Sequence, residues 1–344
     1  MPTRRTLLGG LAAGLATIAV APRLGADPHA VKPPRLREGD TLGLVAPAGF
    51  VADRFGIEAI EDTVRAMGLV PKVAPHVTAR EGYLAGTDAV RAHELTAMFE
   101  DDAVRAVMAV RGGWGCARLL PLLDFAKIAR HPKLYVGFSD NTALHLAFAA
   151  RTGVIGIHGP NASSSWPEAA WNDFRAVAFD GATPTWTVSE QRTGGLGRTA
   201  GQLRRFHGGS ARGRLLGGNL TVLSALAGTP YLPDFTGAIL FLEDTNESEY
   251  RIDRMLTQLA LAGILGNVAG VVFGQCSNCV NQDAGYGNFT VYEVMDQHFA
   301  KLGVPAFQGA QFGHVGRQIP LPVGAMAEID ADAGSIRLLE PAVA

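Results

Sequence analysis

A regular alternation of short apolar runs and helical segments begins at residue 41 and indicates the fold class of this chain. Apolar runs at 41–45, 104–110 and 134–138 predict strands, and segments 57–67 and 141–150 carry helical periodicity. Strands that alternate with helices of about ten residues indicate a parallel, doubly wound sheet. In such a sheet, functional groups collect where strands end and helices begin.

The chain is predicted to contain two domains. Residues 36–177 form an N-terminal α/β domain and residues 213–340 a C-terminal domain, and the segment 178–212 between them is rich in Gly, Thr, Arg and Gln with little helical period. That composition predicts a linker with a short hairpin at most. A length of 344 residues fits two domains and a leader, at roughly 100–200 residues per domain.

The first 26 residues predict a twin-arginine export signal. Arg4 and Arg5 precede an apolar run from Leu7 to Ala21, and Leu24-Gly25-Ala26 offers small residues for cleavage. A run of about 15 residues is shorter than the roughly 20 that span a bilayer, which favours a removed signal over a membrane anchor. The mature chain is therefore expected in the periplasm or elsewhere outside the cytoplasm.

Charge and cysteine content narrow the possible functions. The formal net charge is −2 and the sequence has no basic stripe, which argues against a nucleic-acid partner. Of the three cysteines, Cys276 and Cys279 form a C-x-x-C that no second ligand pair complements, so a metal site is not predicted. We interpret them as a loop pair, free or disulfide-bonded, and expect no cofactor.

Ser139 is the candidate nucleophile. It lies in Gly137-Phe138-Ser139-Asp140, between a predicted strand and a predicted helix. A sharp strand-to-helix turn exposes a serine hydroxyl and directs the following backbone N–H groups toward an oxyanion. The alternative is that Ser139 or Asp140 only caps the helix.

The glycine-rich segment 111–115 follows the preceding strand. Its glycines allow the backbone to approach a ligand closely, and a backbone N–H from it is a candidate oxyanion donor beside that of Asp140. Arg111 and Trp114 are candidate substrate contacts, although Arg111 in a structural ion pair is an equal alternative. The spacing fits neither common phosphate-binding pattern, so a nucleotide-binding oxidoreductase is a weak alternative.

His314 is the candidate base, because glycines flank it in a loop that can present it to a cleft. His158 at the end of a predicted strand and His207 in a glycine-rich stretch are its rivals. Glu243 is the candidate carboxylate, since it ends a buried-looking strand where it needs a polar partner. Asp244 competes with it, and either residue is alternatively a helix cap.

These segments together resemble the LD-carboxypeptidase family of serine peptidases, which includes muramoyltetrapeptide carboxypeptidase and the microcin C immunity peptidase. The resemblance covers about residues 36–339. It rests on the ordered motifs Val45-Ala46-Pro47-Ala48-Gly49, Arg111-Gly112-Gly113-Trp114-Gly115, Arg118-Leu119-Leu120-Pro121, Gly137-Phe138-Ser139-Asp140-Asn141-Thr142-Ala143-Leu144, His158-Gly159-Pro160, Gly217-Gly218-Asn219-Leu220, Phe241-Leu242-Glu243-Asp244 and Gly313-His314.

The resemblance implies a flavodoxin-like N-terminal domain with a parallel sheet, followed by a β-barrel-like α/β domain. It implies a triad of Ser139, Glu243 and His314, with the serine in one domain and its partners in the other. It places the oxyanion donors on the backbone N–H groups of Gly113, or its neighbour Gly112, and of Asp140. It also implies a homodimer.

The substrate that the resemblance implies is a murein tetrapeptide, cut by an acyl-enzyme mechanism before its terminal D-alanine. Family members that recycle murein are usually cytosolic, whereas this chain carries a predicted export leader. That difference favours trimming of wall peptides outside the inner membrane. Trp114 stands where the family often carries Tyr. The alternatives are hydrolysis of a peptide–nucleotide antibiotic amide and a non-catalytic protein that binds wall peptides.

Overall fold

The structure is a computed structural model that describes residues 29–188, 203–279 and 289–344. The predicted leader, residues 1–26, lies outside the described residues. Within them, the strands are β1 Thr41–Val45, β2 Val70–Val73, β3 Val104–Ala109, β4 Leu134–Gly137, β5 Gly156–His158, β6 Thr185–Thr187, β7 Arg204–His207, β8 Ser210–Asn219, β9 Ile239–Thr245, β10 Gly270–Ser277, β11 Ala306–Gln308, β12 Leu321–Val323, β13 Met326–Asp330 and β14 Ser335–Leu338.

The helices follow these strands in the alternation that the sequence predicts. They are α1 Arg54–Ala66, α2 Asp88–Glu100, α3 Cys116–Leu119, α4 Phe125–Arg130, α5 Thr142–Arg151, α6 Glu168–Ala178, α7 Leu220–Ala225, α8 Glu249–Leu261 and α9 Val291–Phe299. Across the three described ranges, no helix is long and apolar enough to cross a bilayer.

The first sheet has six strands in the order β12-β5-β4-β3-β1-β2. The pairs among β5, β4, β3, β1 and β2 are parallel, and β12 adds an antiparallel edge. Every residue of β4 is buried, as is expected of a strand covered by helices on both faces. The predicted α/β class with a parallel first sheet is confirmed.

The second sheet has eight strands in the order β6-β14-β13-β8-β9-β10-β11-β7. Its centre is parallel from β8 to β11, and its flanks are antiparallel. The first half of β8 pairs with β13 and its second half with β9. The long strand therefore connects the antiparallel and parallel parts of the sheet.

The segment 178–212, predicted as a linker, contributes regular structure to the second sheet. Strands β6 and β7 lie within it and β8 begins in it, while residues 189–202 fall outside the described residues. Both β6 and β7 are edge strands, and their side chains are mostly exposed. Edge strands do not need an apolar run, which is why the composition of this segment suggested a linker.

Helix α5 joins the two sheets. Eight of its ten residues are buried, and it contacts β5 of the first sheet and β8 of the second. The hydroxyl of Thr142 at its start accepts a 2.9 Å hydrogen bond from the backbone N–H of Asn219, at the end of β8. The carboxyl ends of strands from both sheets therefore meet at the start of α5.

Candidate active site

Ser139 lies on the turn between β4 and α5, in a single 3₁₀ turn over Ser139–Asn141. Its φ of 63° places a non-glycine residue in the left-handed region, which is uncommon and strained. The amide of Asn141 holds this turn by donating to the carbonyl oxygen of Phe138 at 2.9 Å. The hydroxyl is thus presented on a sharp turn of the type used by nucleophilic serines.

The glycine-rich loop after β3 lies directly against this serine. A Cβ on Gly112 would come within 3.1 Å of the Ser139 Cβ and 3.3 Å of its Oγ. Gly113 has a φ of +124° and packs against the backbone of Gly49. Arg91, a buried residue of α2, donates to the carbonyl oxygen of Gly115 at 3.1 Å and fixes the end of the loop.

His314 joins Ser139 to Glu243 by two hydrogen-bond contacts. Its Nε2 lies 3.1 Å from the Ser139 Oγ, and its Nδ1 lies 2.7 Å from Oε2 of Glu243. The imidazole is 25 % exposed, whereas the carboxylate is fully buried at the end of β9. Gly313 has a φ of +92° and brings the loop so close that an added Cβ would lie 2.6 Å from Oε2.

Asp244, the sequence competitor of Glu243, faces another way. It accepts hydrogen bonds from the side-chain amide of Asn219 at 3.2 Å and from the backbone N–H of Thr221 at 2.9 Å, so it anchors the start of α7. Burial raises the pKa of Asp244 to about 6, against the lowering effect of its hydrogen bonds.

Burial lowers the pKa of His314, but the Glu243 hydrogen bond and the negative charges of Glu243 and Asp244 outweigh that effect. The pKa of His314 is therefore raised above its ordinary value of 6.5. The carboxylate favours the imidazolium, which is the state that a base reaches after it has taken a proton.

A cavity of about 350 Å³ opens in front of Ser139. Arg111 and Gly113 line it, and Arg111 donates from Nη1 to the carbonyl oxygen of Phe50 at 3.3 Å. Trp114, predicted as a substrate contact, is 42 % exposed on the same loop but does not line the cavity. The lining residues are Val51, Ala52, Arg111, Gly112, Gly113, Phe138, Ser139, Asn161, Ser163, Ser164 and His314.

The side chain of Asp140, whose backbone follows the serine, points away from the cavity. Its Oδ2 accepts from the backbone N–H of Cys116 at 2.7 Å. Burial raises the pKa of Asp140, although the Cys116 hydrogen bonds oppose the shift. The carboxyl group of Asp140 thus ties α3 to the turn at Ser139.

The two rival histidines lie in different surroundings. His207 is exposed on β7. His158 is fully buried at the end of β5, with its Nε2 3.9 Å from Oε1 of Glu243. A third histidine, His145 on α5, is buried and contacts the carbonyl oxygen of Gly137 at 2.8 Å.

Two supporting groups escaped the sequence prediction. The Oδ1 of Asn161 accepts from the backbone N–H of Phe138 and from the Asn141 amide, both at 3.2 Å, and so braces the turn at Ser139. Ser277 donates from its hydroxyl to the carbonyl oxygen of His314 at 2.7 Å. Asn161 comes just after a strand end, which is a usable signal, whereas nothing in the sequence links Ser277 to residue 314.

The cysteines that flank Ser277 form a disulfide bond, Cys276–Cys279. The loop pair predicted as free or bonded is therefore bonded. This bridged turn contacts both functional loops, because the Ser277 carbonyl oxygen accepts from the backbone N–H of Asn246, just beyond β9, at 2.8 Å.

A serine, an imidazole and a buried carboxylate in hydrogen-bond sequence, at the strand ends of an α/β fold, define the class of serine hydrolases. Comparison with known proteins narrows the class. The model of the LD-carboxypeptidase N-terminal domain matches residues 42–159, and that of the C-terminal domain matches residues 212–329. The chain therefore belongs to the LD-carboxypeptidase family, and it is a serine-type carboxypeptidase.

Individual relatives cover almost the whole chain. A Streptomyces coelicolor protein named as a carboxypeptidase is 40 % identical over 91 % of this chain and 97 % of its own length. The murein tetrapeptide carboxypeptidase of Pseudomonas aeruginosa is 30 % identical over 85 % of this chain and 93 % of its own. The microcin C7 self-immunity protein MccF superposes with a TM-score of 0.81, covering 91 % of this chain and all of that one. At 23 % identity, MccF shows the shared fold alone.

Proposed function

We propose that this protein removes the terminal D-amino acid of murein tetrapeptides through an acyl-enzyme on Ser139. The observation that carries the mechanism is the pair of contacts from His314, at 3.1 Å to the Ser139 Oγ and 2.7 Å to Glu243. A relative named murein tetrapeptide carboxypeptidase, 30 % identical over most of the chain, supports the substrate.

The reaction proceeds by acyl transfer. His314 takes the hydroxyl proton as Ser139 attacks the carbonyl carbon before the terminal residue, and Glu243 stabilises the resulting imidazolium. The imidazolium then gives its proton to the leaving amine. Water, deprotonated by the same imidazole, hydrolyses the ester and frees Ser139.

The backbone N–H groups of Gly113 and Asp140 serve as oxyanion donors in this proposal. Gly113 lines the cavity, and Asp140 directly follows the nucleophile at the start of the 3₁₀ turn. One such donor supplies about 3–4 kcal/mol of barrier reduction in acyl-transfer enzymes. Because Gly112 packs against Ser139, a side chain at residue 112 would push the donor loop away from the reacting carbon.

Arg111 binds the free carboxylate of the terminal residue in this proposal. It lines the cavity beside Ser139, and among the described residues it forms no ion pair, which favours substrate binding over a structural ion pair. A guanidinium matches a carboxylate with two parallel N–H groups. An enzyme that requires this contact cleaves only at the end of a peptide.

Action outside the cytoplasm follows from the predicted leader and gains support from the Cys276–Cys279 disulfide. Disulfides persist in oxidising compartments such as the periplasm. Wall peptides reach that compartment, so the proposed substrate and the proposed location agree.

The test is release of D-alanine from a defined murein tetrapeptide by the Ser139→Ala variant. We expect the rate to fall by about 10⁶-fold, as it does when a serine hydrolase loses its nucleophile. Ser335→Ala on β14 is the matched control and should keep the wild-type rate. Hydrolysis by Ser139→Ala at the control rate would remove the nucleophile assignment.

The competing functions give different results in the same assay. Faster hydrolysis of a peptide–nucleotide amide than of the tetrapeptide would favour the antibiotic-directed activity. A serine-directed fluorophosphonate that never labels Ser139, together with tight tetrapeptide binding, would favour a binding protein.

A further inference from the structure

The second oxygen of the Glu243 carboxylate faces an unused histidine. Oε2 contacts His314, but Oε1 is buried and has no hydrogen-bond partner among the described residues. Both ring nitrogens of His158 are also buried and without a partner in that part of the chain. The two groups face each other across 3.9 Å, between Nε2 of His158 and Oε1 of Glu243.

The chain holds His158 in this place from three sides. Its backbone pairs with Gly137 of β4, next to the nucleophile turn, and with Leu321 of β12. The ring of Phe241 on β9 lies 5.5 Å from the His158 ring, between centroids. The first sheet thus supplies both the nucleophile and a polar contact to a carboxylate that comes from the second sheet.

His158 interacts with Glu243 as a neutral group. Burial lowers the pKa of His158 well below 6.5, and the positive charges that His145 and His314 can carry lower it further. The ionisable groups around it are therefore Glu243 and His314 on the side of the site and His145 on α5. A neutral imidazole facing a carboxylate oxygen carries its proton on the facing nitrogen.

We propose that His158 is a positioning residue of the triad, whose neutral ring donates from Nε2 to Oε1 of Glu243. A shift of about 1 Å brings the two atoms from 3.9 Å to hydrogen-bond distance. The contact stops the carboxylate from rotating about its last bond, so Oε2 stays directed at His314. His158 touches no substrate and acts only through Glu243.

The inference rests on the proposed triad, and its test is chosen to be independent of the tetrapeptide. The rate at which a fluorophosphonate labels Ser139 reports activation of the nucleophile with no assumption about the natural substrate. Failure of the tetrapeptide assay therefore leaves this measurement intact, and Ser139→Ala identifies the labelled residue.

His158→Leu keeps most of the ring volume and removes the donor. Its maximal labelling rate should fall by about tenfold to a hundredfold, the factor for a lost hydrogen bond to a charged group. The reagent concentration giving half that rate should not change. The acid limb of the pH profile should move to higher pH, because more negative charge then faces His314.

His158→Gln places an amide N–H near the position of Nε2 and should label at nearly the wild-type rate. A leucine variant with the wild-type rate and pH profile would overturn the inference. Equal losses in the leucine and glutamine variants would also overturn it, since they would point to ring volume rather than to the donor.

Nitrogen-15 NMR of the labelled histidines in the wild-type protein gives a result that does not depend on any variant folding. We expect the His158 signal to show a neutral ring protonated on Nε2, unchanged across the range in which histidine ordinarily titrates. A ring protonated on Nδ1, or an imidazolium, would refute the proposed contact.

Discussion

A methyl group added at residue 313 should disable the enzyme with little effect on its fold. In Gly313→Ala the new Cβ would lie 2.6 Å from both the Cβ and Oε2 of Glu243 and 2.7 Å from its Cγ, so the whole side chain must shift. Ordinary contact begins near 3.4 Å, so the carboxylate must move by about 0.8 Å. A shift of that size away from His314 lengthens the 2.7 Å contact to about 3.5 Å, beyond a hydrogen bond.

The expected loss follows from the role proposed for that contact. Misplacing a catalytic group by about 1 Å costs on the order of a hundredfold in rate, and loss of the carboxylate that orients the base costs up to about 10⁴-fold. We therefore expect Gly313→Ala to lower the rate of tetrapeptide hydrolysis, and of fluorophosphonate labelling, by a factor between these limits.

Gly39→Ala is the matched control. Gly39 has a φ of +85°, close to the +92° of Gly313, but a Cβ there meets nothing within 4 Å. It precedes β1, at the end of the sheet opposite the site. Gly39→Ala should lose about 1–2 kcal/mol of stability from the left-handed backbone, measured by urea unfolding. Gly313→Ala should lose about 1–3 kcal/mol more, because its Cβ overpacks the site, and only Gly313→Ala should lose activity. Equal activity in the two variants would refute the reasoning.

Three further outcomes follow from the site. The acid limb of kcat/KM should lie above pH 6.5, because the base must be neutral and the pKa of His314 is raised, and Glu243→Gln should move that limb to lower pH while lowering kcat. Arg111→Ala should raise KM about tenfold to a hundredfold for a peptide with a free terminal carboxylate, but should not raise KM for the same peptide with an amidated end. Arg111→Lys should restore the low KM only partly. Reducing the Cys276–Cys279 disulfide should slow hydrolysis about fivefold, because Ser277, which lies between the two cysteines, holds the backbone of His314. In a variant with serine at both cysteine positions, the reductant should not change the rate of hydrolysis.

Local patterns were sufficient for the buried central strands of the first sheet. Strands β1, β3 and β4 are mostly apolar because nearly all of their residues are buried, and such runs are visible in a sequence. The edge strands β6 and β7 were missed because exposed edges carry no such run. The domain boundaries, the homodimer and the export leader stay predictions.

The site was harder to predict than the fold. Local sequence patterns identified Ser139 from the predicted strand-to-helix turn and Glu243 from its position at a strand end. They left His158 and His207 as alternatives to His314 for the role of the base. Only the family resemblance chose among them, since the three histidines are brought to their places by long-range packing. The contact between His158 and Oε1 of Glu243 crosses from one sheet to the other, and no local pattern reports it.

The short strand β12 has a consequence for how the molecule can be divided. Residues 321–323 belong to the second half of the chain but pair with β5 of the first sheet, the strand that ends in His158, and cover its edge. A chain cut before residue 321 would leave that edge open to association with other molecules. The two halves are therefore not interchangeable modules, and the first sheet is complete only after residues 321–323 have been synthesised and have docked.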